Sequence, residues 1–234
     1  MATTTLSTHQ RALRSSVVKK VIMAVTGLIM VAFLLMHMYG NLKMFAGAES
    51  FDHYAHWLKG DILYPIVPKG WFIWIFRVGL LASVVLHIWA AISLSRQTLS
   101  VRGPGYQKFR SQAQTYSART MRWGGIIVAG FIIFHLLQFT VKVITPGFDP
   151  NAGPYEMFVL TFQQWWMVLL YAVLMAVICM HVRHGFWSAF TTLGANSSAR
   201  SRKWLNWLGI AVAVLLYIGF MLPPVAVLFG WIAI

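Results

Sequence analysis

Long apolar runs alternate with short polar connections along the whole chain. Four runs carry no charge, at 21–35, 124–141, 165–182 and 204–234, and a fifth, at 71–94, contains only Arg77. A helix needs about 20 mostly apolar residues to cross the hydrocarbon core of a bilayer. Lipid offers no partner to backbone polar groups, so each run is predicted to be a helix. The expected fold class is therefore all-α, an integral membrane five-helix bundle that forms a single domain over 1–234.

The apolar pattern also predicts where each span begins and ends, to within a few residues. The spans are expected at about 18–45, 70–97, 118–144, 164–192 and 203–232. Connections 46–70 and 145–163 are expected to be loops, the second of them rich in turn residues. Pro223 and Pro224 are expected to interrupt the fifth helix.

Basic residues predict the orientation of the bundle. Four lie in the N-terminal segment 1–20, and connections 95–122 and 183–203 carry six and four, whereas 46–70 and 145–163 carry two and none. The positive-inside rule therefore predicts a cytoplasmic N-terminus and an external C-terminus. The polar stretch 98–117 lies on the cytoplasmic side, and it suits either a docking place for a soluble partner or an ordinary solvated loop.

Composition agrees with a membrane protein and excludes several other classes. The chain is 59% hydrophobic and 10% charged, whereas soluble domains carry about a quarter charged residues. Its net charge of +14 comes from residues that flank apolar runs, so membrane lipid and not nucleic acid is the expected partner. With Cys179 as the only cysteine and no C-x-x-C-H motif, an internal disulfide and covalent haem attachment are excluded.

Of the eight histidines, four stand deep inside spans, one on each of the first four helices, whereas His184 follows Arg183 at the membrane interface. An ionisable residue at membrane depth is a functional candidate by default, although a single one could serve an interhelical hydrogen bond. His37 and His135 lie 17 and 13 residues beyond the cytoplasmic ends of outward helices, or roughly 25 and 20 Å. His87 and His181 lie near the cytoplasmic ends of inward helices. The predicted result is an outer pair, His37 with His135, and an inner pair, His87 with His181.

Two imidazoles at each of two depths describe two stacked haems, each with two histidine ligands to the iron. No Asp or Glu lies deep in a span, which argues against a di-iron carboxylate site. Small residues near the ligands leave space for a flat macrocycle, for example Gly40 and Gly185, one turn from His37 and His181. Gly27 and Gly125 each lie ten residues before a histidine, on helices that could form equivalent walls of one site.

These residues resemble a known family over nearly the whole chain. The sequence is similar to the dihaem cytochrome b membrane anchor of succinate:quinone oxidoreductases and fumarate reductases (respiratory complex II), in its single-polypeptide, five-helix form. The segments that carry the resemblance are Thr26-Gly-Leu, His37-Met-Tyr-Gly-Asn-Leu-Lys43, Tyr54-Ala-His-Trp-Leu58, Leu86-His87, His135-Leu-Leu-Gln138 and His181-Val-Arg-His-Gly-Phe-Trp-Ser188.

The resemblance implies a function for the chain. Two b haems would pass electrons from an iron–sulfur subunit, which docks with a flavoprotein on the cytoplasmic face, to a quinone, often menaquinone. The location implied is the bacterial cytoplasmic (inner) membrane, and the whole complex could form a higher oligomer. In some fumarate reductases an acid two residues before the fourth histidine carries protons, and here Cys179 stands at that position.

The quinone site is predicted less directly, from residues at the two faces of the membrane. Near the outer face the candidates are His53, His56 and Asp61, which are equally consistent with ordinary loop residues. At the cytoplasmic end, His184 could bond a haem propionate or a quinone oxygen, or could simply face lipid headgroups.

Two other functional classes are considered beside this one. Anchors of hydrogenases and formate dehydrogenases, and proteins similar to cytochrome b561, also place haem between histidine pairs. One histidine on each of four spans, with a fifth span, favours the succinate dehydrogenase type. A transporter or channel would show paired acids or broken helices in mid-membrane, and no charged partner lies near Pro223 and Pro224.

Overall fold

The structure, a computed structural model, describes the backbone of residues 15–101 and 116–234, and the side chains of 15–97 and 121–234. Within these residues the chain is helical and contains no strand. The helices are α1 (Ser16–Leu42), α2 (Ala48–Gly60), α3 (Trp71–Val101), α4 (Tyr116–Phe139), α5 (Pro154–Phe162), α6 (Trp165–Thr192) and α7 (Ala199–Leu228), with a 3₁₀ turn at Lys43–Ala46.

Five of these helices, α1, α3, α4, α6 and α7, are long and apolar enough to cross a membrane. The chain is therefore an all-helical, multi-pass membrane protein, as its apolar pattern predicts. The stretch 98–117 falls mostly outside the described residues: positions 98–101 continue α3, and 116–117 begin α4.

The third span ends at Phe139, five residues earlier than expected. Residues 140–144 contain four β-branched side chains, which favour a helix less than unbranched ones do. Between them, Lys142 adopts a left-handed conformation with a φ of 60°. Its ammonium group donates hydrogen bonds to the carbonyls of Pro150 and Ala152, so the chain turns here into the external connection.

The last helix begins earlier than predicted and is not interrupted. A capping box at Ser198, in which Ser198 and Ser201 bond each other's backbone N–H groups, starts α7 at Ala199. The helix continues through Pro223 and Pro224, whose rings are buried, and ends at Leu228. The expectation that the prolines break this span is therefore wrong, because packing around the buried rings holds the helix together.

Two short helices, α2 and α5, replace stretches that were expected to be loops. They pack against each other through Asp52, whose carboxylate accepts a hydrogen bond of 3.0 Å from the backbone N–H of Tyr155. That N–H is among the unpaired donors of the first turn of α5. Tyr155 also donates its hydroxyl proton to the carbonyl of Ala233. One carboxylate and one phenol thus join both connections and the C-terminus at the same end of the bundle.

The five spans are packed unequally. Helix α1 packs against α3, α6 and α7, and α6 packs against α1, α4 and α7, so α1, α6 and α7 form the centre. Helix α3 packs mainly on α1, and α4 mainly on α6. Only 11% and 6% of the apolar windows of α3 and α4 are buried, against 39% and 44% for α6 and α7. Helices α3 and α4 therefore stand at the edge of the bundle, and each leaves most of its apolar surface uncovered.

Two glycines let the central helices approach closely. A Cβ added at Gly219 of α7 would overlap the Met38 side chain of α1, and one added at Gly209 would lie 3.1 Å from the backbone carbonyl oxygen of Arg183 in α6. Small residues at such contacts are a general feature of membrane helices, because association there depends on close van der Waals packing.

Replacing Gly219 by valine is expected to lower the free energy of unfolding by about 1–3 kcal/mol, because added methyl groups would overpack the α1–α7 contact. The midpoint of thermal unfolding in detergent measures the effect. Gly130→Ala is the matched control, since Gly130 is an exposed helical glycine with nothing within 4 Å of an added Cβ. That control should be neutral or stabilising by up to about 1 kcal/mol. Equal midpoints for the two variants would contradict the proposed contact.

Candidate functional site

The four membrane histidines meet in two pairs in the structure. The ring centroids of His37 on α1 and His135 on α4 are 5.9 Å apart, and those of His87 on α3 and His181 on α6 are 6.4 Å apart. An imidazole nitrogen lies about 2 Å from a metal that it ligates, so two imidazoles on opposite sides of one metal have centroids roughly 6 Å apart. Each pair could therefore supply two ligands to one metal centre.

His87 of the inner pair is held in one tautomer by α1. Its Nδ1 lies 3.1 Å from the Met23 carbonyl oxygen, an atom that can only accept, so Nδ1 carries the proton. The Thr26 hydroxyl donates to the Ile22 carbonyl, which leaves its oxygen as a second acceptor 3.3 Å from Nδ1. The other ring nitrogen, Nε2, is then unprotonated and can bind a metal.

His181, the other member of the inner pair, has a different environment. Its Nδ1 is buried and has no hydrogen-bond partner among the residues that the structure describes. Buried polar atoms in native structures nearly always have a partner, so this orphan marks a place where a ligand or water would satisfy the ring. His184, three residues further along α6, lies with its ring 6.4 Å from that of Trp187.

The outer pair is enclosed by aromatic rings. The His37 ring stacks on Phe33, one turn earlier in α1, at 5.3 Å between centroids, and it also contacts Phe220 of α7. The His135 ring contacts Phe131 and Phe139 on its own helix. Aromatic rings on these sides fix the orientation of both imidazoles and keep water away from them.

His135 also takes part in a buried polar chain that sequence reasoning missed. Its Nδ1 lies 3.3 Å from the Tyr171 hydroxyl oxygen, and Tyr171 donates its proton to Oε1 of Gln138 at 2.7 Å. Gln138 and Thr161 are fully buried, with Nε2 of Gln138 lying 3.5 Å from the Thr161 hydroxyl. In the sequence, the polar residue Gln138, one turn from His135 in an apolar helix, could have indicated this chain. Tyr171 could not, because tyrosine is an ordinary residue in an apolar span.

One cavity of about 2940 Å³ contacts all four histidines. Sites for a single small ligand occupy about 300–1,000 Å³, so this space can accept more than one large group. Among the described residues, no Asp or Glu lines it, whereas five cations do. These are Lys20, Lys59, Arg77, Arg96 and Arg122. An apolar cavity edged by positive charge favours apolar ligands that carry acidic groups.

The glycines near the histidines play partly different roles from those expected. Gly40 faces the Tyr54 ring, at 3.2 Å from an added Cβ, and so packs against α2 rather than opening space beside His37. Gly185 has nothing within 4 Å, which leaves room beside His181. Gly27 lies against Cε1 of His87, at 3.3 Å from an added Cβ.

Gly125 takes the corresponding place against Cε1 of His181, at 3.6 Å from an added Cβ. Together with Gly27, it places α1 and α4 as the two walls of the inner site. Helices α1 and α4 share more than a glycine ten residues before a histidine. Phe33 and Phe131 each stand one turn before that histidine and contact its ring.

A second cavity, of about 530 Å³, opens beside α2. Its lining includes Lys43, Glu49, His53, Tyr54 and Trp57. The Lys43 ammonium lies 5.1 Å from the centroid of the Tyr54 ring. Burial raises the pKa of the Tyr54 phenol, and the nearby Tyr39 adds to the effect, so the hydroxyl remains a donor at neutral pH. The volume is in the range of single-ligand sites.

The structure does not bring the four predicted quinone residues together. His53 lines the smaller cavity, whereas His56 is exposed on α2. Asp61 lies beyond the end of α2 in an exposed ion pair with Lys69, at 3.2 Å. His184 lines the large cavity near the inner histidine pair.

Among the described residues, no group of three or more His, Cys, Asp or Glu could hold a metal ion without further ligands. Comparison of the chain with protein-family models, curated proteins and solved structures finds no match.

Proposed function

We propose that this chain is the membrane-anchor cytochrome b subunit of a succinate dehydrogenase, which binds two b haems and passes electrons from an iron–sulfur subunit to quinone. The observation that carries the proposal is the pairing of His37 with His135 and of His87 with His181, at distances suited to one metal each. Imidazole pairs in apolar surroundings suit haem, because the porphyrin supplies the other four iron ligands.

The residues around the pairs support haem in particular. His87 and His135 each carry the proton on Nδ1 in the hydrogen-bonding patterns described above, which leaves Nε2 for iron. Gly27 and Gly125 bring helix backbones close to the inner imidazoles. The five cations that line the cavity are natural partners for haem propionates. When bound, the haems would supply one-electron transfer across the apolar layer.

We assign the soluble partners to the cytoplasmic face, which the basic connections 95–122 and 183–203 identify. There the inner pair lies nearest to an incoming electron, with His184 and Arg96 beside the same cavity. The flavoprotein and iron–sulfur subunits would dock on this face, in the bacterial cytoplasmic membrane. The chain would thus serve as the electron-transferring, quinone-reducing subunit of an enzyme whose flavin site lies elsewhere.

The smaller cavity beside α2 is the proposed site of quinone, with menaquinone as the expected species. Lys43, His53 and Tyr54 line it and can donate hydrogen bonds to quinone oxygens, while Trp57 offers an aromatic face. Gly40, one turn beyond His37, contacts the Tyr54 ring, so this cavity lies next to the helix that carries an outer ligand.

Purified protein is expected to contain two non-covalent b haems per chain, as measured by a pyridine haemochrome assay. Replacing His37 or His135 by alanine should remove the outer haem and spare much of the inner one. Replacing His87 or His181 should do the opposite, because each haem depends on its own pair. His56→Ala is the control and should keep both haems, since His56 is exposed and lines neither cavity. One haem per wild-type chain would refute the paired arrangement.

Partner identity is tested by affinity purification of the tagged chain from its native membrane. A flavoprotein and an iron–sulfur protein with succinate dehydrogenase activity should be recovered with it, in equal stoichiometry. Recovery of a hydrogenase or formate dehydrogenase instead would leave the haem assignment in place and overturn the succinate assignment.

His181 and His184 stand on one face of α6, and alanine variants distinguish their roles. His181→Ala should lose the inner haem, because the His181 ring lies opposite His87. His184→Ala should retain both haems and at most slow quinone reduction. The inner haem is measured as the reduced-minus-oxidised absorbance that persists in the His37→Ala variant. The same absorbance is then compared in the His181→Ala and His184→Ala variants. Loss of this signal only in the His184 variant would show that His184 is the ligand.

A further inference from the structure

The buried chain Thr161–Gln138–Tyr171–His135 has a direction, which follows from the number of protons available. Tyr171 has one hydroxyl proton, and it points to Oε1 of Gln138 at 2.7 Å. The phenol oxygen can then only accept from the imidazole, so the 3.3 Å contact is a hydrogen bond donated by Nδ1 of His135. This bond leaves Nε2 of His135 without a proton.

The amide of Gln138 is the element that sets this direction. In the orientation observed, Oε1 faces Tyr171 and Nε2 faces the Thr161 hydroxyl at 3.5 Å. With the amide reversed, Nε2 would donate to the phenol, and the phenol would donate to Nδ1 of His135. The imidazole would then carry its proton on Nε2, the nitrogen needed for iron. Both Gln138 and Thr161 are fully buried, so water does not offer alternative partners.

His87 of the inner pair needs no such device. His87 donates to the Met23 carbonyl, which cannot reverse because it has no proton to give. The outer pair lacks an equivalent backbone acceptor at His135, and a phenol alone can either donate or accept. A second group, the amide of Gln138, must therefore determine whether the phenol donates to His135 or accepts from it.

We propose that Gln138 and Tyr171 are positioning residues that select the iron-binding tautomer of His135 and make its imidazole more electron-rich. The inference rests on the proposed function. It adds that these two residues tune the affinity and the midpoint potential of the outer haem and leave the inner haem unaffected. Neither residue touches the iron, and both act through the ring of His135.

Tyr171→Phe removes the acceptor and preserves the ring that packs against Phe131 and Phe162. Both haems should remain, because nothing then donates to Nδ1. The ferric form of the outer haem should lose stabilisation by about tenfold, which raises its midpoint potential by about 59 mV for a one-electron couple. The inner haem potential should not change. The outer haem is identified in the titration as the component that His37→Ala lacks.

Gln138→Leu should have a stronger effect of a different kind. Tyr171 then loses its acceptor and turns its proton toward Nδ1 of His135, which favours the wrong tautomer. Outer haem affinity should fall by about 10- to 100-fold, while the inner haem remains. The double variant Gln138→Leu, Tyr171→Phe should regain outer haem to the level of Tyr171→Phe, because the competing donor is gone. A residue that only fills space would not be rescued by a second deletion.

Tyr155→Phe is the matched control, because Tyr155 is also buried and loses a hydroxyl that donates to the Ala233 carbonyl, near the C-terminus. It should leave both potentials and both haems unchanged. An unshifted outer potential in Tyr171→Phe, or no rescue in the double variant, overturns this inference. If the Gln138→Leu protein does not accumulate, the midpoint potential of the outer haem in Tyr171→Phe alone tests the inference. A wild-type protein without haem would instead overturn the proposed function, so the two failures are distinct.

Discussion

Lipid provides no hydrogen-bonding partner, and this constraint determines what becomes of each polar group inside the bundle. Backbone groups satisfy one another in helices, and polar side chains must find partners within the protein. His87 uses a backbone carbonyl of the neighbouring helix, whereas His135 uses the phenol of Tyr171. The phenol in turn requires Gln138. His181 differs from these two histidines, because among the described residues its buried Nδ1 has no hydrogen-bond partner.

The two sites are built crosswise from two similar helices. Helices α1 and α4 each contribute one histidine to the outer pair, and each places a glycine against a histidine of the inner pair. The same two helices therefore set the spacing of the outer histidines and the spacing of the backbones that face the inner histidines. A shift of either helix along its axis would disturb both sites together, so their geometries are linked through rigid elements.

Charge and apolar pattern were sufficient to predict five spans and to sort four histidines into the pairs that the structure brings together. Local sequence patterns predicted the wrong structure where contacts between distant parts of the chain determine it. Helix α5 depends on a carboxylate from Asp52, about a hundred residues earlier in the chain, and Pro223 and Pro224 are tolerated because their surroundings bury them. Gly40 suggested space for a ligand, but a ring from α2 fills it. The role of Tyr171 depends on Gln138 from another helix, a contact that no spacing along one helix reveals.

The unequal packing of the spans bears on how the bundle is completed in the membrane. Each histidine pair joins a central helix to a peripheral one, because His37 of α1 meets His135 of α4, and His181 of α6 meets His87 of α3. Groups bound at both histidine pairs would act as two internal cross-links between helices. A group that binds only the native state stabilises that state. Without such groups, α3 and α4 should separate from the bundle first, since they bury the smallest share of their surface.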